Sequence, residues 1–238
     1  AATWREPDSG IWEVRCAPKH FVLSKAMASV ALERAASLAA AHGLPGDVAR
    51  WREEAAAARA LVLERGYDAE LGSFVQALGE REVDASNLLL ALVGFLDARD
   101  PRMVATVERV LERLTANGLV YRYRGAEDGL PGGEATFAYC TFWLVEVLAL
   151  QGRVREARAI FDSIAARATP LGLYAEEIDA ATGEHLGNFP QGFPHAGLIQ
   201  AALALRRAES AGADALGRRE PGRRGGLESP VPGSHVVG

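Results

Sequence analysis

The stretch TFAYCTFWLVEVLALQGRVREARAIFDSIAARA, residues 136–168, decides the fold. Its first half, Thr136–Leu150, is apolar almost all round, and a helix with no polar face must be covered on every side. Gln151-Gly152-Arg153 interrupts the run, and a glycine suits a helix end. The second half, Arg153–Ala168, alternates apolar and charged residues at helical spacing, which predicts a helix with a wet side. The unit is therefore a buried helix, a short turn and a surface helix.

Outward from this unit the chain repeats the same architecture without repeating its sequence. Phe21–His42 reads as apolar and Asp47–Arg65 as amphipathic, joined by His42-Gly43-Leu44-Pro45-Gly46. Asp84–Ala98 is apolar again, most clearly over NLLLALVGF, residues 87–95. It passes through Arg99-Asp100-Pro101, a cap followed by a first-turn proline, into Pro101–Ala116. There Val104, Val107, Val110, Leu111 and Leu114 share one face, and Arg102, Glu108, Arg109, Glu112 and Arg113 take the other. A last apolar helix is expected over Pro194–Glu209. Each amphipathic helix reaches the next apolar one through a long loop, roughly 67–83, 117–135 and 169–193. Loops of that length in a compact domain are commonly functional. Strand signals are weak. The prediction is an all-α chain, a two-layer ring of helical hairpins with buried helices inside, amphipathic helices outside and the long loops gathered at one end.

Composition bounds the function. The chain has 238 residues, 49% hydrophobic, with a formal net charge of -5. No basic face is offered to phosphates, which argues against a nucleic-acid partner. The exception is Arg218, Arg219, Arg223 and Arg224, in a Gly/Pro-rich stretch that reads as a disordered tail, residues 210–238, behind a domain of residues 1–209. Cys16 and Cys140 make neither a disulfide framework nor a metal-ligand spacing, so no metal and no cofactor are expected and a reducing, cytoplasmic setting is. No apolar run has membrane-spanning length. The chain opens directly into a motif at its first residues, which points to a piece of a longer protein.

Two acidic motifs carry the chemistry. PDSGIWEVR, residues 7–15, and LGLYAEEID, residues 171–179, each place a glutamate beside aromatic and small residues in a loop before an apolar helix. GNFPQGFPH, residues 187–195, follows the second. Two carboxylates held face to face are the minimum for general acid and base cleavage of a glycosidic bond. Trp12 beside Glu13 offers an aromatic wall that disfavours an ionised carboxyl; a helix-entry segment with a capping acid accounts for the same residues. Asp8 and Arg15 either position a hydroxyl or pair with each other. Glu176 and Glu177 read as a base and a hydrogen-bonding neighbour, or as a solvated acidic turn. Asn188, Gln191 and His195 suit hydroxyl recognition, although a satisfied histidine at a helix start is as good an account of His195. Arg122 and Arg124 in VYRYRG suit an oxygen clamp, or a solvated loop, and Glu134 suits a helix cap. A non-catalytic helical-repeat binding module remains the alternative class.

The motifs taken together, PDSGIWEVR with HFVLSKAM, GGEATFAYCTFWLVEVLALQGRVREARAIF, LGLYAEEID and LGNFPQGFPH, resemble the bacterial branch of glycoside hydrolase family 15, over roughly residues 4–206. That family contains glucoamylases, glucodextranases and some trehalases. The resemblance implies an (α/α)6 toroid, an α-linked glucoside substrate and inversion at the anomeric carbon. It implies Glu13 as general acid and Glu176 as general base, with Trp12 lining the glucose subsite and Arg122 binding substrate, Arg124 being the alternative register. Asp8 and Glu177 are expected to help bind the sugar. The chain departs from the family's pattern at Ser29, at Pro194 and at Thr169-Pro170. Seven helices are readable where a closed toroid has twelve, so the resemblance implies the C-terminal part of such a domain, inactive without the N-terminal part of the same protein.

Overall fold

The structure is a computed structural model that describes residues 3–125 and 134–217, with side chains up to residue 211. Its helices follow the polarity of the sequence. α1 (Val22–His42) and α2 (Val48–Arg65) form the first hairpin. Gly43, at φ 62°, ends α1 in the left-handed region that glycine enters without strain, and its N–H bonds the Ala39 carbonyl. The Asp47 carboxylate caps α2 by accepting from Arg50 N–H.

The second buried element is shorter than the sequence predicts. Asp84–Ala98 was expected as one helix; it is a 3-10 turn, Ala85–Leu88, running into α3 (Leu89–Leu92). Gly94 at φ 76° turns the backbone away and ends it. The apolar run was real, but it marks burial, and burial does not require a long helix: Leu88, Leu90 and Phe95 are all sealed in the core.

α4 (Pro101–Leu114), α5 (Ala138–Leu150), α6 (Val154–Ala165) and α7 (Gly192–Gly217) complete the set. On α4 only one face is buried, through Met103, Thr106, Val107, Val110 and Leu114. On α5 nearly every residue is buried, as an inner helix requires. α5 packs on both α6 and α7, and touches α3. α7 runs on to Gly217, past the boundary expected at 209, and residues 218–238 of the expected tail lie outside the described residues.

The layers are those of an (α/α)6 ring, taken as an arc: α1, α3, α5 and α7 inside, and α2, α4 and α6 outside. Both ends of the arc are open. Met27 and Leu38 on α1 and Phe193, Ile199 and Leu203 on α7 are exposed. No helix among the described residues is long and apolar enough to cross a membrane.

The long loops gather at one end, and short strands lace them together. β1 (Tyr67–Asp68) pairs with β2 (Ser73–Phe74). β3 (Thr115–Ala116) pairs with β4 (Leu119–Val120) across Asn117-Gly118, both at positive φ, the geometry of a two-residue hairpin turn. β5 (Thr136–Phe137), β6 (Glu177–Ile178) and β7 (His185–Leu186) make an antiparallel sheet that ties the third long loop to the second. Single bridges extend the lacing: Asp8 to Lys19, Phe21 to Ala77, Asp84 to Tyr123 and Tyr121 to Thr136.

Candidate active site

The first motif is a tight turn. Glu13 N–H bonds the Gly10 carbonyl at 3.3 Å, and Val14 N–H bonds the Ser9 carbonyl at 3.1 Å. Glu13 itself sits at φ 52°. A non-glycine residue there carries backbone strain of roughly 1–3 kcal/mol, held only because its surroundings fix it. Two braces do so.

The first brace is Asp8. Its carboxylate accepts from Gly10 N–H at 2.8 Å, from the Ser24 hydroxyl at 2.7 Å and from the Lys25 ammonium at 3.1 Å. Lys25 is almost fully buried and also donates to the Glu6 carbonyl at 2.5 Å. An ammonium taken out of water needs such partners. Asp8 does not line the cavity described below. Its carboxylate braces the turn from Gly10 to the start of α1, and the direct sugar contact expected of it stays a proposal.

The second brace is Asp84, which the sequence reading passed over. It is fully buried, and its two oxygens accept from Trp12 Nε1 at 3.1 and 3.0 Å, from Gln76 Nε2 at 2.8 Å and from Ser86 N–H at 2.7 Å. Burial pushes its carboxyl pKa up, against the pull of those donors. The Trp12 ring is packed among Phe137, Trp143 and Tyr123, with centroids at 5.6, 6.1 and 6.4 Å. Glu13, by contrast, is exposed, so Trp12 does not wall in its carboxyl as the sequence suggested.

The second motif is held by main chain. Glu176 N–H donates to the Asn188 carbonyl at 2.9 Å, Ala138 N–H donates to the Glu176 carbonyl at 3.1 Å, and Asn188 N–H reaches the Glu176 carboxylate at 3.3 Å. Gly187, at φ 70°, permits this approach: a Cβ there would stand 3.0 Å from Glu176 Oε2. His195 meets the plainer account only in half: its Nδ1 is bonded, while its buried Nε2 has no hydrogen-bond partner among the described residues. It shares a 2.6 Å bond between Nδ1 and the Gln191 carbonyl, and it meets Tyr174 edge to face.

Between the motifs lies a half-buried ion cluster. Arg122 donates through Nε and Nη2 to both oxygens of Glu134, at 2.6 and 3.1 Å, and through Nη2 to Glu177 at 3.1 Å. Burial alone would lower the Arg122 pKa; Glu134 and the other nearby charges outweigh it and hold the guanidinium protonated. Burial raises the Glu177 pKa, Arg122 opposes that, and the Glu134 and Glu176 charges add to it. Glu134 is thus an ion-pair partner and not the helix cap expected, since the N-cap position of α5 is Phe137, which makes no side-chain cap bond. Glu177 faces Arg122 and is not part of the cavity wall. Arg124 is exposed and lies over the Tyr121 ring at 4.2 Å, so of the two arginines it is Arg122 that reaches the site.

One cavity of about 420 Å³ joins these parts. Ile11, Trp12, Glu13, Arg122, Phe137, Tyr139, Trp143, Glu176 and Phe193 line it. The two glutamates singled out in the sequence therefore share one opening, with Trp12 and Arg122 beside them. Its volume falls in the usual range for small-molecule sites. Its aromatic wall had not been read as such. Tyr139 and Trp143 lie one turn apart on α5, with centroids at 4.6 Å, and Phe193 stacks on Tyr139 at 5.9 Å. The i, i+4 spacing of Tyr139 and Trp143 was the available signal. Ser29 lies elsewhere, its hydroxyl donating to the Ala55 carbonyl at 2.8 Å between α1 and α2, so this departure from the family pattern does not touch the cavity. Among the described residues no group of three or more His, Cys, Asp or Glu side chains is placed to hold a metal ion.

Comparison with known proteins shows the family. The profile of glycosyl hydrolases family 15 matches residues 1–203. A trehalase of Mycobacterium tuberculosis is 47% identical over 220 residues, covering 92% of this chain and 32% of its own length. A trehalase of Mycolicibacterium smegmatis is 48% identical over 208 residues, covering 87% of this chain and 31% of its own. The chain spans about a third of the length of these curated relatives. Among solved structures, a bacterial glucoamylase complexed with acarbose superposes with a TM-score of 0.71 at 17% identity, over 83% of this chain and 35% of that one. That likeness is one of fold.

Proposed function

Because the chain belongs to glycosyl hydrolase family 15, we propose that it carries the acid and the base of a trehalase-type active site that inverts the anomeric carbon it attacks. The observation that carries the reading is the single cavity lined by Glu13, Glu176, Trp12 and Arg122. Glu13 protonates the glycosidic oxygen as the bond breaks. Glu176 takes a proton from a water that attacks the anomeric carbon from the opposite face of the ring. Trp12 and Tyr139 offer apolar faces to the sugar, and Arg122 offers N–H groups to its hydroxyls. Trehalose is favoured over maltose and longer α-glucans because the relatives of 47 and 48% identity are trehalases.

The arc is open at α1 and α7, and the relatives are about three times as long. The same proposal therefore makes this chain part of a longer polypeptide whose remaining helices close the ring, and leaves the chain inactive alone. A cytoplasmic setting belongs with it, supported by the free thiols of Cys16 and Cys140, the latter buried.

The test is hydrolysis of trehalose by the longer polypeptide, with the product anomers followed by proton NMR. Trehalose joins two α-anomeric carbons, so inversion at one releases one β-glucose and one α-glucose per turnover. Two α-glucoses would contradict inversion. Glu13→Gln and Glu176→Gln should each lower kcat by at least about 100-fold with little loss of substrate binding. Unchanged rates would remove the assigned roles, and turnover by the purified 238-residue chain would remove the claim that it is incomplete.

A further inference from the structure

Trp12 and Arg122 come from loops 110 residues apart in sequence and still meet, with the guanidinium carbon 5.8 Å from the Trp12 ring centroid. One short segment holds both. The Asp84 side chain accepts the Trp12 indole N–H, while its main chain bridges to Tyr123 and the next residue, Ala85, donates its N–H to the Arg122 carbonyl at 2.8 Å. We propose that Asp84 is a positioning residue of the cavity: through the Trp12 indole it fixes the turn that carries Glu13 in register with Arg122. The catalytic consequence, though not the bond itself, rests on the function proposed above.

The chemistry requires a carboxylate at 84. Donors from Trp12, Gln76 and Ser86 converge on its two oxygens. An amide would supply one acceptor oxygen and two N–H donors, so one converging donor would face another donor with no water to relieve it. The Trp12 indole is the partner held only by a side chain on a turn. The Ser86 N–H belongs to the 3-10 turn that Asp84 caps, and Gln76 lies in a segment paired to α1 through its carbonyl. Loss of the acceptor would therefore loosen Trp12, leaving its ring held by packing against Phe137, Trp143 and Tyr123. Its displacement would pull on Glu13, which already sits at positive φ.

Two measurements test this. In the 238-residue chain, the Trp12 indole N–H signal, identified by its loss in Trp12→Phe, should exchange with solvent more slowly than that of Trp51. It should also move in Asp84→Asn while the Trp4 and Trp51 signals stay. Rapid exchange in the unaltered chain, or an unmoved Trp12 signal in the variant, overturns the proposal whatever the enzyme does. The exchange measurement needs no change at Asp84, so it stands even where Asp84→Asn does not fold. In the longer polypeptide, Asp84→Asn should lower kcat for trehalose by about 10- to 100-fold, the size expected of a misplaced catalytic group. Combined with Trp12→Phe it should cost no more than the worse single change. Losses that multiply would show Asp84 acting independently of Trp12, and the proposal would fall. If the unaltered polypeptide does not hydrolyse trehalose, the functional reading fails while the indole measurement still decides the bond.

Discussion

Gly187 shows how one residue without a side chain sets a carboxylate. Its φ of 70° strains any side chain, and a would-be Cβ stands 3.0 Å from Glu176 Oε2 and 3.3 Å from Glu176 Cβ, so a methyl group would push the carboxylate aside. Gly187→Ala should destabilise the fold by about 1–2 kcal/mol, lowering the melting midpoint by roughly 2–4 °C per kcal/mol. In the longer polypeptide it should also reduce kcat by displacing Glu176. A variant with native melting and native turnover would show that the close approach is slack. Glu146 is a second residue-scale case. It lies on α5 one turn beyond Trp143, with one carboxylate oxygen buried and unbonded, and burial pushes its pKa up to about 7. In the unfolded chain it titrates near its ordinary value of about 4.5. Between these values the folded state holds the proton and the unfolded state releases it, so stability falls as pH rises from about 4.5 to about 7. Above that range the loss is complete. Glu146→Gln should therefore leave the midpoint near pH 4.5 almost unchanged and raise it at pH 8 by a few degrees (about 2–4 °C per kcal/mol). An equal shift at both pH values would point to packing and not titration. The catalytic candidates Glu13 and Glu176 were legible at this scale because each sits in a compact local motif. Asp84 was not, because its partner Trp12 lies 72 residues away and nothing local in REVDASNL distinguishes a helix cap from a cap that also holds an indole.

Among the elements, polarity predicted helices well and their ends unevenly. α4 obeyed its start signals, the Asp100 carboxylate accepting from Arg102 N–H at 2.9 Å and Pro101 occupying the first turn. It ends two residues before the expected Ala116, and Met103 and Thr106 are buried where Val104 and Leu111 are only half-buried. Asp100→Ala should cost about 1 kcal/mol through the lost cap. The loss should show as a lower melting midpoint with unchanged circular dichroism at low temperature. A midpoint unaffected by the change would mean that the proline alone defines the helix start. The run from Asp84 to Ala98 misled because a continuous apolar stretch reports burial and says little about length. Gly94 was the sign that it would stop. The strands went unread for a different reason. Each is two residues long, too short for alternation to develop along the sequence. Asn117-Gly118 was the exception, a hairpin signal in plain view.

At the scale of the molecule, the arc leaves apolar surface uncovered at both ends. Met27 and Leu38 share one face of α1, and Ile199 and Leu203 share one face of α7. Exposed patches of this kind mark interaction surfaces. The 238-residue chain should bind a hydrophobic dye and self-associate with rising concentration in sedimentation experiments. Lysine at 27 and 38, with glutamate at 199 and 203, should return it toward monomer without lowering its melting midpoint. A dye-silent, monomeric unaltered chain would mean that these faces are too small or too broken to drive contact. By itself the sequence determined the alternation of buried and wet helices, the identity of the two acidic turns and the end of the ring at which they gather, since period, polarity and turn chemistry are local properties. The meeting of Glu13 and Glu176 in one cavity, the claim of Lys25 on Asp8, the capture of Arg122 by Glu134 and Glu177 and the hold of Asp84 on Trp12 were decided only in three dimensions. Each of these is a contact between residues whose separation in sequence carries no periodic signal, and whose geometry exists only once the helices beneath them have packed.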